Sequence, residues 1–256
     1  MAAPEISVLT ALADRAEHRL AEVHATLTAV PVSWEWLIQH DGEGLPSVPE
    51  AIAADPRAVI ESNRRRLGIA ATRNRALGRA RAPLLLNADA DDVPEPAALT
   101  ALPGAFADPT VGLAFGDWIE RWPDREPWSP QPRFAPGRLA AGHLSAIWAS
   151  ERWVPMHLAG AMWRTEAVLA AGGWTATVGG SDIGLLIGVD AAWASVYVPQ
   201  LTFTYHHHAT QATASAAWQR QFDTDVRFLA RRQAALAALS DGPPGQTRAG
   251  AARRPD

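Results

Sequence analysis

The 256-residue sequence contains no cysteine and no lysine, and only two tyrosines. Without thiols, disulfides and thiolate metal sites are excluded, and the chain carries no signal about redox compartment. All 23 basic residues are therefore arginines, which together with the abundant alanine points to genome composition more than to function. Against 27 acidic residues they leave a formal charge of -4, and the short Arg64-Arg65-Arg66 cluster does not extend into a basic stripe, so no nucleic-acid partner is expected. No apolar run approaches the roughly 18 residues of a membrane span, so no transmembrane segment is expected. The N-terminus also lacks a basic region followed by an apolar core, so no signal peptide is expected and the plain reading is a cytoplasmic protein. With 48% hydrophobic and 20% charged residues the composition is that of a folded globular chain.

What is present is an alternation of strand and helix patterns. Ile6 to Thr10 reads as a buried strand, followed by Leu12, Ala16, Leu20, Val23 and Leu27 at helical spacing. "VSWEWLIQHDGEG" (Val32 to Gly44) reads as a second strand ending in an Asp-Gly turn, and "RAVIES" (Arg57 to Ser62) as a third. Leu67 to Ala80 reads as a helix and "APLLLNA" (Ala82 to Ala88) as a fourth strand. This order predicts an α/β fold with a largely parallel sheet covered by helices on both faces, whose ligands bind beyond the carboxyl ends of the strands. "VGLAFGDWIER" (Val111 to Arg121) predicts a further strand, and Trp122 to Trp153 an irregular Pro- and Trp-rich region. "MHLAGAMWRTEAVLAAGGW" reads as strand, helix and Gly-rich stop, and "WASVYVPQLTFTYHHH" as one or two late strands. A last helix runs from about Thr213 to Leu239, followed by a polar tail over 240–256 whose Pro/Gly content predicts disorder. The expectation is one domain over 1–239, with a nucleotide-sugar-binding half over 1–110 and an acceptor-binding half over 111–239.

At the end of the fourth strand stands "LLLNADADDVPEP", with Asp89, Asp91 and Asp92 packed into four residues. One such Asp is explained by capping the next helix. Three together in a partly desolvated crevice repel one another unless a cation neutralises them, and a hard divalent ion such as Mn²⁺ or Mg²⁺, shared with substrate phosphates, resolves that conflict.

Here the sequence resembles the GT-A glycosyltransferases of family 2. The likeness rests on ordered motifs over nearly all of 6–215: "ISVLTA", "WEWLIQHDGEG", "GIAATRNRAL", "LLLNADADDVPEP", "GAMWRTEAVLAAGGW", "GGSDIGLL" and "TYHHHATQATAS". It implies a GT-A, Rossmann-like sheet and an inverting transfer of sugar from a nucleotide-diphosphate donor, UDP-sugar favoured, to an acceptor hydroxyl.

By the same resemblance, Asp89-Ala90-Asp91 occupies the place of the acidic element that holds a metal against the donor diphosphate. Asp91 is the first metal ligand, and Asp89 and Asp92 contact sugar or ribose hydroxyls or metal-bound water. His208 falls where the family places a His close to metal and diphosphate, so the resemblance implies Asp91, Asp89 and His208 as candidate metal ligands. Asp41 corresponds to the acid that recognises the nucleobase, with His40 in place of the more usual preceding acid; an Asp-Gly turn without a ligand is the competing account. Arg73 and Asn74 fall in an "ARN"-like element near the nucleotide, and Thr10 and Ala11 end the first strand beside the nucleoside. Asp182 corresponds to the general base, with Ser181 in place of the usual Glu; a helix N-cap would also explain the pair. Trp118, Trp153, His157 and Trp163 are acceptor-side candidates, although Trp serves equally as a core residue.

A small-molecule or natural-product acceptor suits the short chain, and the sequence says nothing of oligomeric state. Two other classes compete. A sugar-phosphate nucleotidyltransferase also joins such a sheet to acidic ligands, but Ala11 to Ala16 has neither the Gly nor the Lys of its phosphate loop. A non-catalytic carbohydrate- or protein-binding module on the same fold is kept open by His40 and Ser181.

Overall fold

The computed structural model describes residues 3–14, 18–211, 213 and 216–240. The first half comprises β1 (Ile6–Leu12), α1 (Leu20–Ala29), β2 (Trp34–His40), α2 (Glu50–Ala53), β3 (Ala58–Ser62), α3 (Ile69–Leu77), β4 (Leu84–Asn87), β5 (Val93–Pro94) and α4 (Pro96–Thr100). A 3-10 turn at Leu102–Ala107 leads to β6 (Val111–Arg121), β7 (Gly137–Leu139), α5 (His143–Glu151), β8 (Met162–Arg164), α6 (Thr165–Ala170), α7 (Ser181–Asp190), β9 (Ala194–His206) and α8 (Ala216–Ser240).

Among the described residues the strands form one sheet in the order β3-β2-β1-β4-β8-β6-β9-β5, with β7 also on β9. Pairings β3/β2, β2/β1, β1/β4 and β6/β9 are parallel; the shorter pairings around β8, β5 and β7 are antiparallel. β1, β2 and β4 are apolar and buried almost throughout, as strands covered on both faces must be. Their residues alternate between two cores. Leu9, Leu37 and Leu85 pack with α5, α6 and α7, whereas Val8, Ile38 and Leu86 pack with α1 and α4.

The chain moves outward from β1 to β2 and β3, then returns to place β4 on the other side of β1. That reversal opens a crevice at the carboxyl ends of β1 and β4. Because β8 runs antiparallel to both β4 and β6, β6 and β9 end at this same edge.

Two expectations need correction. Leu12 belongs to β1, opposite His40, and α1 starts only at Leu20; Leu12 fits the helical spacing, but its side chain is buried from the strand. Ala16 lies outside the described residues. The segment 122–153 holds β7 and the nine-residue α5, whose Leu144 and Trp148 are buried in the core. β9 is one 13-residue strand that passes Pro199 through an irregularity in its register with β6. The expected disordered tail from 241 onward lies outside the described residues. No described helix is long and apolar enough to cross a membrane.

The loop carrying His157 is pinned to β9 by a close approach at Gly160, where an added Cβ would lie 2.3 Å from Phe203 Cβ. Gly160→Ala is expected to cost about 1–3 kcal/mol through overpacking. Urea unfolding measures it, and an unchanged midpoint would contradict the packing described.

Candidate active site

The centre of the crevice is Arg73. It lies on α3 with 1% of its side chain exposed, in contact with Asp89 through Nη2, and its Nη1 donates to Asp182 at 2.5 Å. One guanidinium thus joins the turn after β4 to the first turn of α7, 109 residues from Arg73. Asp89 also accepts from Asn87 Nδ2 at 3.0 Å on the same oxygen, Oδ1. Burial would raise the Asp89 carboxyl, but the Arg73 charge and these hydrogen bonds hold it below the ordinary range. Asp182 is shifted the other way: burial and the charge of Asp89 raise it, against the pull of Arg73 and a hydrogen bond from Trp174. Two carboxylates sharing one cation are driven apart, and Asp182 becomes the more basic of them.

Trp174 is fixed by a reciprocal amide clamp. Its N–H donates to Asn74 Oδ1 at 2.8 Å, and Asn74 Nδ2 donates to its carbonyl at 2.9 Å. The clamp requires close approach at Gly173, which sits at φ 72° with its Cβ position 2.3 Å from Asn74 Oδ1.

The three acids after β4 separate into different environments. Asp91 Oδ2 lies 2.9 Å from His208 Nε2, 117 residues away, and His208 Nδ1 lies 2.8 Å from Thr210 Oγ1. Burial and the neighbouring Asp89 charge push the Asp91 carboxyl up. Asp92 is only 1% exposed and accepts the His206 N–H at 2.7 Å. Burial and the charges of Asp91 and Asp89 push it to about 9, so it is the neutral acid at pH 7. The expected contact of Asp92 with donor or metal-bound water is corrected: it faces inward and ties the acidic turn to the end of β9.

Other candidates divide in the same way. Thr10 is buried, with its hydroxyl donating to Ala88 O at 2.7 Å and accepting from Trp36 Nε1 at 2.9 Å, while Ala11 is half-buried at the strand end. Ala90 turns its side chain into the core and its carbonyl accepts from the Arg19 N–H, so only its N–H remains for a donor-side contact. Asp41 accepts from the backbone N–H groups of Leu67 and Gly68, in the turn that leads into α3, and from Asn63 Nδ2. Burial opposes ionisation there, but those bonds hold its carboxyl low. His40 lies between Asp14 at 2.6 Å and Gly44 O at 2.9 Å.

Of the residues expected to face an acceptor, Trp118 is buried against His157, with ring centroids 6.3 Å apart. His157 stacks on Phe203, and burial pushes it down to about 4, leaving it neutral. Trp153 is 46% exposed. Trp163 is corrected to a core residue: β8 places it 1% exposed among Leu85, Leu113 and Trp148, where no acceptor reaches it. Sequence reading missed Trp174, whose signal was the Gly172-Gly173 pair before it, and missed Asn87 and Glu120.

Among the described residues no three Asp, Glu or His side chains form a ready cation cage. Asp91 and His208 nevertheless set an oxygen and a nitrogen donor side by side at a point where negative charge accumulates. This fits a divalent ion that draws its remaining ligands from a diphosphate and water.

The family described as Glycosyl transferase family 2 matches residues 7–167. No curated protein matches the sequence. Among solved structures, S. aureus TarS 1–349 in complex with UDP-GlcNAc superimposes with TM-score 0.71 at 14% identity, covering 92% of this chain and 71% of that one. The complex of TarS 1–349 with UDP gives 0.63 at 12%, covering 93% and 68%. S. aureus TarS gives 0.59 at 11%, covering 80% of this chain and 37% of that one. At these identities the structural likeness establishes the GT-A fold.

Replacing Arg73 by Leu strands two carboxylates and is expected to cost about 3 kcal/mol, the low end for a broken buried pair because both acids keep some solvent contact. Asp92→Asn, which retains an acceptor for the His206 N–H, should shift Tm by no more than about 3 °C, whereas Asp92→Ala should lose about 1–3 kcal/mol. Thermal and urea unfolding check both; equal losses in the two Asp92 variants would contradict the neutral-acid assignment.

Proposed function

The chain belongs to glycosyl transferase family 2 and is a glycosyltransferase, and from that premise we propose that it transfers a sugar, with inversion, from a UDP-sugar to an acceptor hydroxyl. The observation that carries the reading is the Arg73 bridge, which holds Asp182 beside the acidic turn after β4. A donor bound at Asp89 and Asp91 then presents its anomeric carbon to an acceptor whose hydroxyl proton Asp182 accepts. The raised pKa of Asp182 suits that task, because a more basic carboxylate is a stronger proton acceptor when ionised. A single base and one direct displacement invert the anomeric centre.

Asp91 and His208 would hold Mn²⁺ or Mg²⁺, which stabilises charge on the departing diphosphate. Asp89, whose Oδ1 takes the bonds from Arg73 and Asn87, keeps Oδ2 for a ribose or sugar hydroxyl or for the cation. Asp41 Oδ2 accepts the Gly68 N–H, and a carboxylate oxygen has lone pairs enough to accept from a uracil ring N–H as well. UDP and UDP-GlcNAc in the TarS complexes support a uridine donor on this fold. Arg73 serves as the cation between the acids rather than as a free ligand for the nucleotide.

The test pairs binding with turnover. UDP with Mn²⁺ is expected to raise the Tm of the wild type and of Asp182→Asn alike, while Asp182→Asn lowers UDP release from UDP-sugars by at least about 100-fold. Asp91→Ala is expected to lose both turnover and the Mn²⁺ dependence of UDP binding. Turnover should fall as the pH drops through a value above the ordinary carboxylate range, because only ionised Asp182 accepts the proton. Metal-independent UDP binding would overturn the metal assignment, and undiminished turnover in Asp182→Asn would overturn the base.

A further inference from the structure

We propose that Glu120 and Trp128 form the acceptor subsite and that the acceptor is a carbohydrate, its ring stacked on Trp128 and its hydroxyls donating to Glu120. The inference rests on the glycosyltransferase reading and assigns the other substrate of the same cleft.

Glu120 stands at the end of β6, opposite Tyr205 of the parallel β9, so it shares the sheet edge that carries Asp89, Asp91 and His208. His157 packs against Trp118, two residues before Glu120 on β6, and against Tyr205, which faces Glu120 from β9.

The carboxylate is held in one orientation. Glu120 Oε2 lies 2.8 Å from His207 Nε2, and Trp118 Nε1 donates to Oε1 at 3.3 Å. His207 is itself stacked on Trp122 at 4.2 Å between centroids and meets Tyr205 edge-on. Among the described residues no arginine pairs with Glu120, and 21% of its side chain stays open to solvent. Each oxygen therefore retains a lone pair directed by a fixed frame, which is what recognition of a pair of hydroxyls requires.

The aromatic partner follows from backbone pairing. The segment after β6 folds back so that Trp128 and Glu120 exchange backbone hydrogen bonds, 2.8 and 2.9 Å, as an antiparallel bridge. Residues directly opposite in such a pair project their side chains to the same side of the sheet, about 5 Å apart. Trp122 is not available as a platform, because His207 covers one contact and the Arg125 guanidinium lies 3.5 Å from the ring centroid. Trp128 is 52% exposed. An open indole beside an aimed carboxylate offers a sugar both its apolar ring face and its hydroxyl partners.

The experiment uses the full chain with UDP-glucose, UDP-galactose and UDP-GlcNAc as donors. Acceptor probes are p-nitrophenyl glycopyranosides, with 4-methylumbelliferone and 1-octanol as non-carbohydrate alternatives. Transfer to a glycoside is expected. The isosteric Glu120→Gln and the exposed-site Trp128→Ala should each raise the acceptor KM at least 10-fold while the donor KM moves less than 3-fold. Trp128→Phe should recover most of the loss. An acceptor KM unchanged in both variants, or transfer only to the phenol or the alcohol, would overturn the inference. Failure of the transferase reading itself would register separately, as absence of any UDP binding by the wild type.

Discussion

A single buried guanidinium between two carboxylates is the constraint on which the site depends. Arg73 reaches Asp89 at the end of β4 and Asp182 at the start of α7, and neither acid has another cation among the described ion pairs. Burying the guanidinium and partly desolvating two carboxylates is costly, and the packing of α3, β4 and α7 in the core beneath holds the three groups together. Its chemical consequence is asymmetry. Asp89 is held in its ionised form, and Asp182 is left with the higher proton affinity, as the proposed general base requires.

Around that bridge the fold adds two clamps. Asn74, next to Arg73, locks the backbone of Trp174, whose indole hydrogen-bonds to Asp182. Asp92, next to Asp91, holds the backbone of His206 and so brings His208 to Asp91. In each case one residue of a short motif joins the polar cluster while its neighbour secures a distant segment against it. The β1/β4 switch point supplies the opening, and β6 and β9 carry an aromatic wall to the same edge.

The sheet was legible in the sequence because β1, β2 and β4 are uninterrupted apolar runs, a pattern that burial on both faces imposes. Leu12 misled because an apolar residue at a strand end also fits the spacing of the following helix. The acids were legible as a cluster but not individually: adjacent positions along the turn face opposite ways, so Asp91 meets His208 while Asp92 turns into the protein. Tryptophans were legible only as a composition, since Trp163 and Trp128 differ in burial, 1% against 52%, because one lies in β8 inside the sheet and the other on the segment that folds back after β6. Glu120 carried no motif at all; its setting is made by residues from β6, β9 and the returning segment, which only the folded chain brings together.

The proposed transfer therefore turns on whether Asp89 and Asp182 are physically one unit through Arg73. The most direct measurement is a double-mutant cycle on unfolding free energy with Asp89→Asn, Asp182→Asn and the double variant. Coupling through a shared guanidinium predicts that the two losses fail to add by about 1 kcal/mol or more. Losses additive to within about 0.3 kcal/mol would contradict the bridge and the single site built on it.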